Sequence, residues 1–267
     1  MEANRVASSQ QREDQTLSSH DDDQLAQRIA AIRARVAAAA ERAGRAAESV
    51  GIIAVSKTMP AQAVTAAAAH GLSIFGENRV QEAREKIATV AAAGLTTIRW
   101  ELIGHLQTNK AARAVELFAR VQSVDSVRLA EALSLRAHQT GRALPVLLEV
   151  NVAGEASKSG IAPNDLVSMA RAIAALPNLH VEGLMTVAPL VDDLEAVRPV
   201  FRQMRALRET LRAEVPIGAD GGWQELSMGM TDDFEVAIEE GATLVRIGRA
   251  IFGARPPLGT PPATTRA

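Results

Sequence analysis

Residues 52–78, IIAVSKTMPAQAVTAAAAHGLSIFGEN, hold a complete strand–helix–strand unit. The run from Ile52 to Val55 is apolar and β-prone, leads into Ser56 and Lys57, and is stopped by Pro60. PAQAVTAAAAH is alanine-rich and helical in character, and Gly71 separates it from a second β-prone run, LSIFGEN. Outward from this unit the same alternation continues. Further strands are predicted at RWELIG (99–104), RVQSVD (120–125), PVLLEVN (145–151), HVEGLMT (180–186), QELSMGM (224–230) and TLVRIG (243–248). Between them lie helical segments such as RVQEAREKIATVAAA, SVRLAEALSLRAHQ, DLVSMARAIAAL, Leu194–Glu214 and DDFEVAIEE. Eight strands in regular β–α order predict an α/β fold, a single (β/α)8 barrel of the TIM type. A doubly wound open sheet would use fewer strands, and the Gly-rich dinucleotide turn is missing after the first strand.

The flanks carry different signals. Residues 1–22 are rich in Ser, Gln, Asp and Glu and predict a disordered extension. From Asp23 on, Leu25, Ile29, Ile32 and Val36 recur at helical spacing before Gly44, which predicts one extra N-terminal helix on a barrel of residues 23–255. Residues 256–267 are proline-rich and predict a loose tail.

Composition narrows the function. A chain of 267 residues with 47% hydrophobic and 22% charged residues suits one barrel with a full core. The net charge of −2 includes no basic block, so no nucleic-acid partner is expected. No apolar run approaches a membrane span and the N-terminus has no apolar leader core, so a cytoplasmic protein without membrane contact is expected. Cysteine is absent, which excludes disulfides, thiolate catalysis and zinc–sulfur sites. Five scattered histidines show no metal spacing.

In a barrel of this kind functional groups gather at the C-terminal ends of the strands. Here those ends carry Lys57, Asn78, Gly104–His105, Asp125, Asn151, Thr186, Ser227–Thr231 and Arg246–Gly248. Lys57 is one of only four lysines, and strand alternation puts it on the face of Ile53 and Val55, pointing into the barrel mouth. An unperturbed amine is free in only about one molecule in 2500 at pH 7, and desolvation or nearby cations raise that fraction. Ser227, Gly229 and Thr231 precede a helix expected to be capped by Thr231 or Asp232, and Arg246 and Gly248 share a face at the last strand end, which suits a phosphate held by the last two loops. A lysine, a phosphate cradle and an inward arginine together suggest pyridoxal phosphate, with a cofactor-free sugar-phosphate aldolase as the competing chemistry.

These residues also resemble a known family. AVSKTMP, FGENRVQEAREK, WELIGHLQTNKA, VQSVD, NVAGEASKSGI, VEGLMT and LSMGMTDDFEVAIEEGATLVRIGRAIFGAR occur in the order found in the pyridoxal phosphate homeostasis protein family. That family is a barrel related to the N-terminal domain of alanine racemase, and the resemblance covers roughly residues 24–255. It implies a covalent aldimine of pyridoxal 5'-phosphate on Lys57, with Asn78 near the cofactor. It further implies Ser227, Met228, Thr231 and Gly248 around the phosphate, Arg246 beside the pyridine nitrogen, and no residue with a catalytic role. The implied role is intracellular cofactor homeostasis, as a carrier or reservoir that hands pyridoxal phosphate to apo-enzymes. The alternative is a racemase-like amino-acid enzyme. Racemases of the related barrel type use a lysine and a tyrosine on opposite faces, and this chain has no tyrosine. The second domain that helps build the racemase dimer is also missing, which predicts a monomer.

Three further segments have modest expectations. His105 in GHLQTNKA is expected to line the rim, with Thr108 capping the next helix. GEASKSGI is expected to be a solvated loop, with Lys158 as a second amine only if it takes part in transfer. QEAREK, with charges at helical spacing, is expected to be a solvated helix face.

Overall fold

The computed structural model describes residues 2–155, 159–189, 191–218 and 222–253, with side chains described from residue 20 onward. Eight parallel strands close in sequence order: β1 (Gly51–Val55), β2 (Ile74–Glu77), β3 (Arg99–Leu102), β4 (Arg120–Val124), β5 (Leu144–Glu149), β6 (Leu179–Met185), β7 (Glu225–Ser227) and β8 (Leu244–Ile247). The ring closes where β8 pairs with β1, with Ile53 opposite Arg246. Every predicted strand is present.

Helix α1 (Glu2–Arg42) precedes the barrel. Each strand is then followed by a helix: α2 (Ala61–Ala69), α3 (Val80–Ala92), α4 (Ala111–Leu117), α5 (Val127–Gln139), α6 (Leu166–Ala174), α7 (Arg198–Glu214), α8 (Phe234–Glu239) and the short α9 (Arg249–Phe252). The apolar stripe of α1 is buried at Leu25, Ile29, Ile32 and Val36, as its spacing predicts. Gly44 ends it in the left-handed conformation, with Arg45 N–H closing on the Ala40 carbonyl. Helix α1 runs N-terminally beyond the expected start at Asp23, through a stretch without Gly or Pro to interrupt it. The proline-rich tail and Lys158 lie outside the described residues.

Two helix starts differ from expectation. Thr108 opens a 3-10 turn, Thr108–Lys110, and the N-cap of α4 is Lys110, without a side-chain cap. Helix α8 starts after Asp233, not Thr231 or Asp232, because the Asp233 carboxylate takes the N–H of Met230 and the chain turns there first.

Period-two alternation splits the core. Outward-facing residues and the inner faces of the helices form one large apolar layer, whereas Ile53, Leu147, Met185 and Leu244 form a small cluster inside the barrel. The rest of the interior is polar, including Glu101, Gln122, Ser227 and Arg246. Among the described residues no helix is long and apolar enough to cross a membrane.

Candidate functional site

Strand β1 delivers Lys57 to the mouth. Ile53 lies in the inner cluster, Ala54 in the outer layer, and Lys57, continuing the Ile53–Val55 face, is half-buried two residues past the strand end. Next to it in the ring, β8 carries Arg246, 5% exposed. The Arg246 guanidinium donates through one terminal nitrogen to the Ser227 carbonyl and Ser227 Oγ, both at 2.8 Å. Its other terminal nitrogen donates to the Thr186 carbonyl at 2.7 Å. All three acceptors are neutral. Of the five N–H groups of a guanidinium, two therefore remain without a protein partner among the described residues. Burial pushes the Arg246 pKa down to about 10, against the opposing pull of Asp233 and Glu149.

The expected site residues divide by face. Ser227 points inward but below the mouth; its Oγ donates to Gln122 Oε1 at 2.6 Å while accepting from Arg246. That hydroxyl orients Arg246. Met228, one residue on, points outward into the large apolar layer and offers the mouth only its backbone. Thr231 is partly exposed in the β7–α8 turn. Asp232 pairs outward with Arg249 at 2.6 Å, and Asp233 is buried, its acid raised by burial. Neither aspartate has its carboxylate free to crowd an anion at that turn. Gly229 holds a φ of 92°, and a Cβ there would meet Ala237 Cβ at 2.6 Å. A Cβ on Gly248 would sit 3.4 Å from Val55, beside the strand end that bears Lys57. Asn78 is half-buried, and its backbone abuts Gly104 so closely that a Cβ on Gly104 would come within 2.4 Å of the Asn78 carbonyl oxygen.

Of three carboxylates at or below the mouth, Glu149 and Glu101 were not among the expected residues and Asp125 was expected only as a strand end. Glu149 ends β5 on the same inward face as Leu147, is 7% exposed, and one of its oxygens has no hydrogen-bond partner. The other accepts from Ser159 Oγ at 3.2 Å, and burial raises its acid above the usual carboxylate range. Asp125 pairs with the exposed His105 at 3.3 Å, so His105 does line the rim. Glu101 accepts from Gln122 deeper in the barrel and is likewise raised by burial. The signal for Glu149 was present in LLEVN, where alternation carries the inward face from Leu147 to Glu149. Among the described residues no group of three His, Asp or Glu side chains could hold a metal ion.

The model of the alanine racemase N-terminal domain matches residues 28–256. The pyridoxal phosphate homeostasis protein of Pseudomonas aeruginosa is 46% identical over 231 residues, covering 86% of this chain and 96% of that protein. This chain belongs to the pyridoxal phosphate homeostasis protein family. The Escherichia coli member is 39% identical over 231 residues, 86% of this chain and 97% of its own. The family member PipY of Synechococcus elongatus, solved with pyridoxal phosphate bound, has a TM-score of 0.75 at 38% identity, covering 86% of this chain and all of PipY. Outside the family, alanine racemase from Corynebacterium glutamicum shares the fold alone, with a TM-score of 0.58 at 19% identity and 63% of its chain covered.

Proposed function

We propose that this protein binds pyridoxal phosphate at the barrel mouth, holds it through the amine of Lys57, and serves cofactor homeostasis as a carrier or reservoir. The observation that carries this reading is Arg246: a buried cation, contacted only by neutral oxygens, with donors left over beside the strand end that bears Lys57. A charge kept at that cost suits an electron-rich ligand. The residues fit the cofactor in kind: a primary amine, an N–H donor for a ring nitrogen, and two turns around Gly229 and Gly248 where backbone can approach a phosphate. In this reading Asn78 lies beside the cofactor, while Thr231 and the backbones of Met228 and Gly248 face its phosphate. Ser227 acts through Arg246. Pyridoxal phosphate, when bound, supplies an aldehyde that condenses with a primary amine and a ring that withdraws electrons best when its nitrogen is protonated.

Arg246 can donate to such a nitrogen but not accept from it, so it favours the unprotonated ring. The naming of the relatives for homeostasis points the same way, toward binding above turnover. One arrangement favours a second reading, a weak amino-acid enzyme: the unpartnered Glu149 oxygen and the His105–Asp125 pair could move protons at the mouth.

The test is spectroscopic and chemical. Purified protein given pyridoxal phosphate should gain a visible absorbance band, and borohydride should fix the adduct to Lys57 on peptide mapping. Lys57→Ala should lose both and keep its melting temperature. Mapping to Lys86 or Lys110 instead overturns the assignment. Turnover of free amino acids near the typical enzymatic value of about 10 per second would favour the enzyme reading.

A further inference from the structure

The short segment around Lys57 is tied to α3 from behind. Ser56, 0% exposed, faces outward from the barrel wall, and its carbonyl accepts from Lys86 Nζ at 2.6 Å. Thr58, whose φ of 66° is unusual for a residue with a Cβ, donates its backbone N–H to Glu82 Oε1. Lys86 and Glu82 pair with each other at 3.2 Å, and Lys86 also pairs at 2.6 Å with Glu77, which accepts a hydrogen bond from Ser56 Oγ. In QEAREK, Gln81, Arg84 and Glu85 are exposed as expected, but Lys86 is not part of that solvated face. Lys86 lies among Val80, Ala83 and Val90 on the buried side of α3 and is 6% exposed.

The two backbone contacts have a specific consequence. The carbonyl before Lys57 Cα and the N–H after it belong to the two peptide planes that meet at that atom. Fixing both planes fixes φ and ψ of Lys57 and hence the direction in which its side chain leaves the chain. A buried ion cluster is an expensive way to fill space, and an apolar side chain on α3 would pack at less cost. Lys86 is on the far side of the wall from the mouth, so it serves the site only through the backbone.

We propose that Glu82 and Lys86 are positioning residues for Lys57, acting by clamping the peptide units on either side of it. This rests on the reading of Lys57 as the amine that holds pyridoxal phosphate. The clamp governs the covalent part of binding and leaves the ring and phosphate contacts alone. It predicts a split between two ligands: pyridoxal phosphate, whose aldehyde can react with Lys57, and pyridoxine phosphate, whose alcohol cannot.

Both affinities are measured by equilibrium dialysis for wild type, Lys86→Met, Glu82→Ala and Glu82→Gln, with circular dichroism and melting temperature for each. Lys86→Met and Glu82→Ala should weaken pyridoxal phosphate by about tenfold to a hundredfold, the loss that a misplacement of about 1 Å produces. Pyridoxine phosphate should stay within about twofold. Glu82→Gln, which keeps an oxygen for the Thr58 N–H, should stay near wild type for both ligands. Should Lys86→Met fail to fold, the Glu82 pair carries the test, since it leaves Glu77 and Lys86 joined. Equal weakening of both ligands, or no weakening of either, overturns the clamp. If the wild type itself binds pyridoxal phosphate no better than pyridoxine phosphate, the reading of Lys57 fails first and the clamp with it.

Discussion

Among the described residues two arginines are buried inside this barrel, and they are treated in opposite ways. Arg120, at the N-terminal end of β4, is 3% exposed and surrounded by acids: Glu182 at 2.5 Å, Glu225 at 3.3 Å and Glu101 at 3.6 Å. Arg246, at the C-terminal end of β8, touches a hydroxyl and two carbonyls, and no described carboxylate lies within ion-pair distance of it. The first charge is answered inside the protein. The second is held by neutral oxygens and feels Asp233 and Glu149 only from beyond ion-pair distance, an arrangement that fits the proposed role of a cation kept for a ligand. On the proposed reading the N-terminal end of the barrel serves stability and the C-terminal mouth a ligand, with the chain Glu101–Gln122–Ser227 linking the two levels.

The largest expected effect is at the N-terminal end. Arg120→Leu leaves the buried Glu101 facing the partly exposed Glu182 and Glu225 and should cost about 3 kcal/mol of stability, the low end of the range for breaking a buried ion cluster. Arg246→Met removes no partner of a charge, so its melting temperature should fall markedly less. It should instead weaken pyridoxal phosphate binding by about tenfold to a hundredfold, as loss of a charged hydrogen bond does. Thermal melts and binding isotherms on the two variants would break the comparison if the stability losses were equal, or if Arg120→Leu, still folded, lost the ligand as Arg246→Met does.

A smaller effect separates the two levels of the mouth. A change between variants in the ratio of affinities for pyridoxal phosphate and pyridoxal reports contacts to the phosphate. Thr231→Ala should reduce that ratio by about tenfold, the scale of one good hydrogen bond to an anion. Ser227→Ala should leave the ratio unchanged and lower both affinities together, because its hydroxyl serves Arg246. A fall in the ratio for Ser227→Ala would return Ser227 to the phosphate.

The smallest effect concerns Glu149. Burial raises its acid above the usual carboxylate range, so between pH 4.5 and that raised value the folded chain binds more proton than the unfolded chain. Its contribution to stability therefore declines as pH rises from the ordinary value of 4.5 through its raised folded pKa. Glu149→Gln removes that decline, and the apo-protein should melt about 2–4 °C higher at pH 7, a gain on the order of 1 kcal/mol. A melting curve that is as steep in pH as wild type would show that Glu149 is already answered by a cation.

The fold was readable in the sequence because alternation and turn residues are local signals. All eight strands coincide with β-prone runs, five of which end at Gly, Asn or Asp, and the α1 stripe is visible at its own period. Lys57 and Arg246 were readable for the same reason, as inward residues at strand ends. The partners were not. Nothing within a few residues of Ser227 announces Gln122, and nothing near Ser56 announces Lys86, because these contacts join elements that only the closed barrel brings together. Met228 shows the limit from the other side: a resemblance places it at the phosphate, and the two-residue period turns its side chain away. Lys86 could have been caught by phase, since it interrupts the apolar stripe of Val80, Ala83 and Val90 instead of lying opposite it.

The docking of α1 also bears on how the chain is made. Arg35 and Arg42 pair with Glu235 and Glu239 of α8, and Arg28 bonds the Ile251 carbonyl of α9. The first helix to be synthesised therefore waits for the last ones, about 200 residues later, or roughly 10–40 s at ribosomal rates of about 5–20 residues per second. Through that interval Leu25, Ile29, Ile32 and Val36 lack the surface that covers them in the finished barrel. A nascent or truncated chain ending before Phe234 would present that stripe to chaperones and proteases, so its lifetime in the cell would be set by how soon translation finishes.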